Sequence, residues 1–262
     1  EQIHDTYIRT EHRVVTVNGP EKENLSYPSE ERIGEILDEV EKRKLSPYSD
    51  DFEGTSLIGE KPEAGSIVSE ELIHGERSEE GAYTRLKLSN GATVIFKNTE
   101  LKNDQILFSA FSEGGSSLVE TEDYYTARLA PNLVGACGLG DFTPVQLDKL
   151  LSGTRAQVSP NIGRHSEGFS GNAAPEDFEL LFQQLYLYHS DLNRDRALFE
   201  SYRGRLSSAI RNRRSRPAVR YQDEISRILF GDHPRVQPLT SEKVEAIGME
   251  KTFDIFEQRF SG

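Results

Sequence analysis

The chain has no tryptophan, one methionine (Met249) and one cysteine (Cys137). A single thiol excludes an internal disulfide, and with it the small stapled scaffolds that depend on several. No apolar run approaches the roughly 18 residues of a membrane-spanning helix, so no membrane span is expected. The six histidines stand at 4, 12, 74, 165, 189 and 233, and no two share a helical face at metal spacing. Nothing in the chain is low-complexity. It opens on Glu1 rather than an initiator Met and reads as a piece of a longer protein.

What is present is length and charge. A chain of 262 residues can bury roughly three quarters of its unfolded surface, enough for one or two domains. Its formal net charge of −13 is uneven: residues 1–80 carry 21 acids against 9 Lys and Arg, whereas residues 81–262 carry 23 against 22. The acidic first third reads as solvated surface and connector rather than as a binding patch.

Arg13 to Asn18 has the look of a short strand. Ser29 then opens a helix to about Lys44, with Ile33, Ile36, Leu37 and Val40 at i, i+3, i+4 and i+7. From Leu45 to Glu80 the periodicity dissolves among Pro47, Gly54, Gly59, Pro62 and Gly65, which predicts an extended acidic linker with one β segment near Ser66-Ile67-Val68. The main domain covers 81–262. Strands are expected at about 83–97, 104–112, 154–161 and 164–171, and helices at about 120–134, 143–152, 175–190, 195–215, 217–230 and 240–259. Thr143, Pro144 and Gln146 make a good helix start, and Gly153 supplies a stop. Phe178, Leu181, Phe182 and Leu185 form the stripe of a helix expected to lie buried against the sheet. The fold class is α+β, an antiparallel sheet covered by helices on one face.

Three segments point to a family. Leu86-Lys-Leu-Ser-Asn-Gly-Ala-Thr-Val-Ile-Phe-Lys97 places Asn90-Gly91 as a tight turn between two alternating runs. Asp104 to Ser116 reads as a strand that ends in Gly114-Gly115. Gly163 to Ala174 ends in a Gly171-Asn172-Ala173 turn before a helix opening at Pro175. In this order and spacing they resemble one repeat of the pitrilysin/insulinase family of zinc metallopeptidases. Catalytic repeats there carry H-x-x-E-H, two His one turn apart holding zinc and a Glu acting as general base. The corresponding stretch here is Ala127 to Leu133, with Arg128, Pro131 and Asn132 in those places. Glu113 to Asp141 contains no histidine.

The resemblance therefore implies a non-catalytic, third repeat. Residues 1–44 would close the preceding repeat, residues 45–80 would form the connector between two halves, and 81–262 would be the inactive repeat. It implies a parent of four repeats around an interior chamber that hydrolyses peptides, with zinc in its N-terminal repeat and no cofactor in this segment. The partners would be the remaining repeats and a peptide substrate. The family's long architecture implies a periplasmic or exported parent. The other reading, of a different class, is a scaffold subunit of the same descent with no peptidase activity. An intact H-x-x-E-H upstream of Glu1 separates the two.

Other chemistry is weaker. His165 and Glu167 share one side of an expected strand and form at most a two-ligand set, more simply an exposed His beside a Glu. Gly135-Ala-Cys-Gly-Leu-Gly140 follows a helix, unlike phosphate-binding loops, and reads as a turn around a buried thiol. Gly168-Phe-Ser-Gly171 lacks the full nucleophile-elbow spacing and reads as a strand end. The densest signal is nine Arg between Arg194 and Arg220 against two acids. Overall acidity and the lack of interleaved aromatics argue against nucleic acid. The stripe Leu198, Phe199, Tyr202, Leu206 and Ile210 makes this an amphipathic helix with a basic outer face. A solvated surface is the plainest reading; electrostatic guidance of acidic peptides is the functional one, and it selects Arg211, Arg213 and Arg214 as candidate substrate-facing residues.

Overall fold

The alternating run around Asn90-Gly91 folds as a hairpin, because Gly91 adopts φ 88° and Asn90 Oδ1 accepts from the Ala92 amide at 3.1 Å. A computed structural model describes residue 7 and residues 14–19, 26–44, 55–74 and 81–261. His4, His12 and Arg13 lie outside the described residues, as do 45–54 and 75–80 of the expected linker.

The chain divides into two units, Glu1–Asp51 and Phe52–Gly262. In the first, helix α1 spans Glu30–Lys42, and its Ser29 cap accepts from the Arg32 amide at 3.2 Å. The strand expected at 13–18 does not form over residues 14–18. Alternation alone is insufficient there, since no described strand pairs with it.

The second unit is α+β, as expected, but its strands form two three-stranded antiparallel sheets. The first has the order β1 (Ile67–Ile73), β2 (Tyr83–Leu88), β3 (Thr93–Phe96). The β segment expected near Ile67 is thus longer and pairs with the hairpin over Ile67↔Leu88 to Ile73↔Tyr83. Earlier in the same stretch, Leu57 is 3% exposed and belongs to the core. The second sheet comprises β4 (Ile106–Glu113), β5 (Gln157–Ile162) and β6 (Ser166–Ala173), in the order β4-β6-β5.

The central strand β6 corrects two expectations. Gly171-Asn172-Ala173 is no turn and Gly168-Phe-Ser-Gly171 no strand end, because these residues lie within β6, which pairs with β4 on one side and β5 on the other. Glycine is required at 168 by close approach: a Cβ there would collide with the Ala110 carbonyl and the Phe111 Cα of β4.

Helices cover one face of this sheet. The helices of this unit are α2 (Tyr124–Gly135), α3 (Pro144–Leu150), α4 (Phe178–Ser190), α5 (Arg196–Arg214), α6 (Pro217–Phe230), α7 (Ser241–Glu245) and α8 (Met249–Phe260), of which α2, α4 and α8 pack on the strands. The Thr143/Gln146 capping box and Pro144 open α3, and Gly153 at φ 83° follows it. α2 packs on β5 and α8, α4 on β5 and β6, and α5 on α7. Leu133, Val134, Leu181, Phe199, Phe253 and Phe256 are fully buried between these layers. Beneath β6 the rings of Phe169 and Phe260 stand 4.7 Å apart, and those of Phe256 and Phe260 4.4 Å apart.

Two helical expectations need revision. The inner face of α4 is Leu181, Gln184, Leu187 and Tyr188, while Phe178 and Phe182 stay about two-fifths exposed at 43% and 42%. Phe182 meets both Phe178 and Phe108 of β4, an edge strand with no described strand beyond it to close over them. The helix expected at 240–259 is broken into α7 and α8. Gly248 is extended at the N-cap of α8, Ile247 is buried, and Arg203 Nη1 satisfies the Ile247 carbonyl at 2.7 Å.

Gly168→Ala is expected to lower the unfolding free energy by about 1–3 kcal/mol, seen as a lower urea midpoint at unchanged slope. An unaltered midpoint would mean that β4 and β6 lie farther apart than described.

Candidate functional site

The resemblance assigns the metal-binding position to helix α2. Its buried side consists of Thr126, Ala127, Ala130, Pro131, Leu133 and Val134, while Arg128 and Asn132 share the exposed side. Pro131 has no amide hydrogen to return to the preceding turn, and its ring is buried. A guanidinium, a pyrrolidine and a carboxamide are not a zinc donor set, and the residues on this helix do not fit the ion. Among the described residues, no group of three or more His, Cys, Asp or Glu is arranged to hold a metal.

Residues set aside from sequence take structural places. Glu167 is 5% exposed; it accepts from the Gly115 amide and from Ser112 Oγ at 3.1 Å, with Arg259 at 4.0 Å. It clasps the Gly114-Gly115 turn that ends β4, where both glycines have positive φ. His165 sits in the exposed turn before β6, and its carbonyl accepts from the Gly114 amide. The pair therefore does not converge on one ligand. His189 Nδ1 lies 3.0 Å from the Phe260 carbonyl, and His233 Nδ1 accepts from the Arg235 amide at 3.3 Å. Cys137 is fully buried at the end of α2, with its thiol 3.3 Å from the Leu133 carbonyl, and burial pushes the thiol up to about 11. The glycine-rich turn joins α2 to α3, as the sequence suggests.

The basic stretch forms the outer face of α5 and the start of α6. Asp195 caps α5 by accepting from the Leu198 amide at 3.0 Å, and Phe199 anchors it in the core. Several of its arginines are engaged locally. Arg194 pairs with Glu257, Arg203 with Glu200, and Arg205 lies 5.7 Å over the Tyr202 ring. Of the candidate substrate-facing residues, Arg211 pairs with Glu245 at 3.1 Å and Arg214 with Asp223 at 3.6 Å. Arg213 has no carboxylate partner among the described residues and lines a cavity of about 150 Å³ with Arg214, Asp223 and Pro238. Arg214, Asp223 and Pro238 also line a neighbouring cavity of about 380 Å³ between α6 and the segment 231–240. Arg213 and Arg214 are thus brought together at a concave surface, while Arg211 turns to α7.

Sequence reading missed what holds that concavity open. Arg235 donates to the Ser116 carbonyl at 2.9 Å and to that of Val119, and stacks 5.5 Å over Tyr124. The Tyr125 hydroxyl donates to the Gln237 carbonyl, and Lys243 lies 4.6 Å over the Tyr125 ring. Burial, and then Arg214, push the Lys243 ammonium below its ordinary range. The adjacent aromatics Tyr124-Tyr125 were the signal available for this anchor.

No protein-family model matches the chain. A zinc protease PQQL-like protein of Arabidopsis thaliana is 28% identical over 140 residues, 53% of this chain and 14% of that protein. A probable zinc protease PqqL of Haemophilus influenzae is 28% identical over 101 residues, 38% of this chain and 11% of that one. The chain's curated relatives are PqqL-type zinc proteases. The solved periplasmic protease PqqL from Escherichia coli has the same fold, with a TM-score of 0.67 and 20% identity over 89% of this chain and 25% of that one. The ferredoxin protease FusC, solved as a point mutant in complex with Arabidopsis ferredoxin, superposes with a TM-score of 0.59 at 16% identity, covering 90% of this chain and 26% of that one. The resemblance to the pitrilysin/insulinase family and the α+β fold it implies both hold. The matched lengths span about a quarter of the two solved chains and a smaller share of the curated relatives.

Burial and its raised pKa leave Cys137 about one part in a thousand ionised at pH 8. Native protein is expected to resist iodoacetamide over hours at that pH and to take up one equivalent once unfolded. Rapid labelling of the native form would show that the α2–α3 turn opens.

Proposed function

We propose that this chain is a non-catalytic segment of a zinc-dependent metalloendopeptidase, forming part of a chamber wall and of the surface that meets peptide. One observation supports the reading: α2, the helix to which the family resemblance assigns the metal ligands, offers Arg128, Pro131 and Asn132. The similarity to zinc proteases supports peptide hydrolysis by the whole protein, with zinc held in another, N-terminal repeat. The remaining repeats are its partners, and residues 1–44, 45–80 and 81–262 are the end of one repeat, a connector and the inactive repeat. The periplasmic E. coli relative supports a periplasmic or exported location.

Arg211, Arg213 and Arg214 are proposed to face substrate and to draw acidic peptides inward. A scaffold role has support of its own. Tyr221, Ile228, Leu229 and Phe230 are each at least 59% exposed on α6, an apolar strip suited to docking.

Reversing Arg211, Arg213 and Arg214 to Glu in the whole protein is expected to lower kcat/KM for acidic peptides about tenfold, as for a site losing roughly 1.4 kcal/mol. Neutral peptides should be cleaved nearly as before. Equal effects on both would remove the guiding role, and no cleavage by the unaltered whole protein would favour the scaffold.

A further inference from the structure

The larger cavity has an arrangement that the general basicity of α5 does not explain. Four cations line it, Arg214, Arg220, Arg227 and Lys243, against three carboxylates, Asp223, Glu224 and Asp232. Two of the cations have carboxylate partners, although the buried Asp223 Oδ2 accepts no hydrogen bond. Arg214 pairs with Asp223 at 3.6 Å, and Arg227 reaches Glu224 through Nη2 at 2.6 Å and Nε at 3.0 Å.

Arg220 and Lys243 are not so paired, and no carboxylate reaches either of them among the described residues. Arg220 donates its Nε hydrogen to the Arg214 carbonyl at 3.1 Å, which leaves both Nη amines. Lys243 Nζ donates to Gln237 Oε1 at 3.3 Å and to the Pro238 carbonyl at 3.2 Å, which leaves one of its three donors. Both acceptors are uncharged, and Nζ itself lies 4.6 Å from the centroid of the Tyr125 ring, so every partner of this ammonium is neutral. Lys243 is part-buried with only neutral partners and feels the charge of Arg214, an arrangement that a bound anion would relieve. The volume of about 380 Å³ admits a side chain or a chain end.

We infer that this cavity binds a single peptide carboxylate between Arg220 and Lys243. Its lining carries one positive charge in excess, which one carboxylate neutralises; the three resident carboxylates repel a polyanion. The carboxylate comes from the C-terminus of a peptide or from an Asp or Glu side chain. The inference rests on the proposed substrate-facing role only for where that peptide originates. The pocket itself can be tested without any cleavage.

Binding is to be followed by NMR or calorimetric titration of this 262-residue chain with three short peptides of neutral sequence. One has an acetylated N-terminus and a free C-terminal carboxylate, one is acetylated and amidated at its ends with an internal Glu, and one is acetylated and amidated with no charge. Saturable binding at about millimolar concentration is expected for one or both carboxylate peptides and not for the neutral one, a range typical of one charge-assisted contact. The first against the second identifies the source of the carboxylate. Arg220→Gln and Lys243→Gln should each weaken it about tenfold, while Arg205→Gln, which removes a charge from the outer face of α5, should leave it unchanged. Arg220 is exposed, so its variant reports on binding without disturbing the core.

Equal affinity for the neutral peptide, no binding of either carboxylate peptide, or an equal loss in Arg205→Gln overturns the pocket. None of these depends on whether the whole protein is a protease. Binding here together with no cleavage by the whole protein would keep the pocket and discard the protease reading.

Discussion

The packing of α2 against β5 and α8 is the constraint on which the rest depends. Ala127, Ala130, Leu133 and Val134 commit one side of this helix to the core with essentially no exposure. Burial of such aliphatic groups stabilises by about 25 cal/mol per Å² removed from water. That commitment fixes which side chains remain outside. They are Arg128 and Asn132, while Pro131 is turned to the interior. The groups left on the outer side, a guanidinium and a carboxamide, do not form a zinc donor set.

The same helix organises the cationic cleft. Its first residues, Tyr124 and Tyr125, hold the 231–240 segment, and Arg235 ties that segment to the carbonyls before the helix. Hydrogen bonds from a charged donor to fixed carbonyls are worth about 1.5–3 kcal/mol each, more than a neutral pair. A rigid segment there gives α6 and Lys243 a wall to face. The cleft is therefore a consequence of how α2 begins, rather than an ornament on the arginine-rich surface.

Much of this was legible in the residues. Asn90-Gly91 demanded a hairpin, the Thr143 capping box with Pro144 opened α3, and Gly153 followed its end, because each acts through its immediate neighbours. What failed needed knowledge of distant partners. Glycines at 168 and 171 looked like punctuation, yet they let β6 lie closely between two strands. Phe178 and Phe182 matched a buried stripe, but an edge strand left them part-exposed. Arg211 was grouped with Arg213 and Arg214 by sequence, whereas Glu245 on α7 draws it away. Arg220 was only one of nine clustered arginines and Lys243 was not singled out, because their isolation from carboxylates is visible only in three dimensions.

The most direct test of the proposal that this chain is a non-catalytic repeat is the zinc content of the purified chain after incubation with excess zinc and exhaustive dialysis, assayed beside cleavage of an unstructured fluorogenic peptide. The account predicts metal well below one equivalent and no chelator-sensitive cleavage. One tightly held zinc per chain, or cleavage abolished by a chelator, would contradict it.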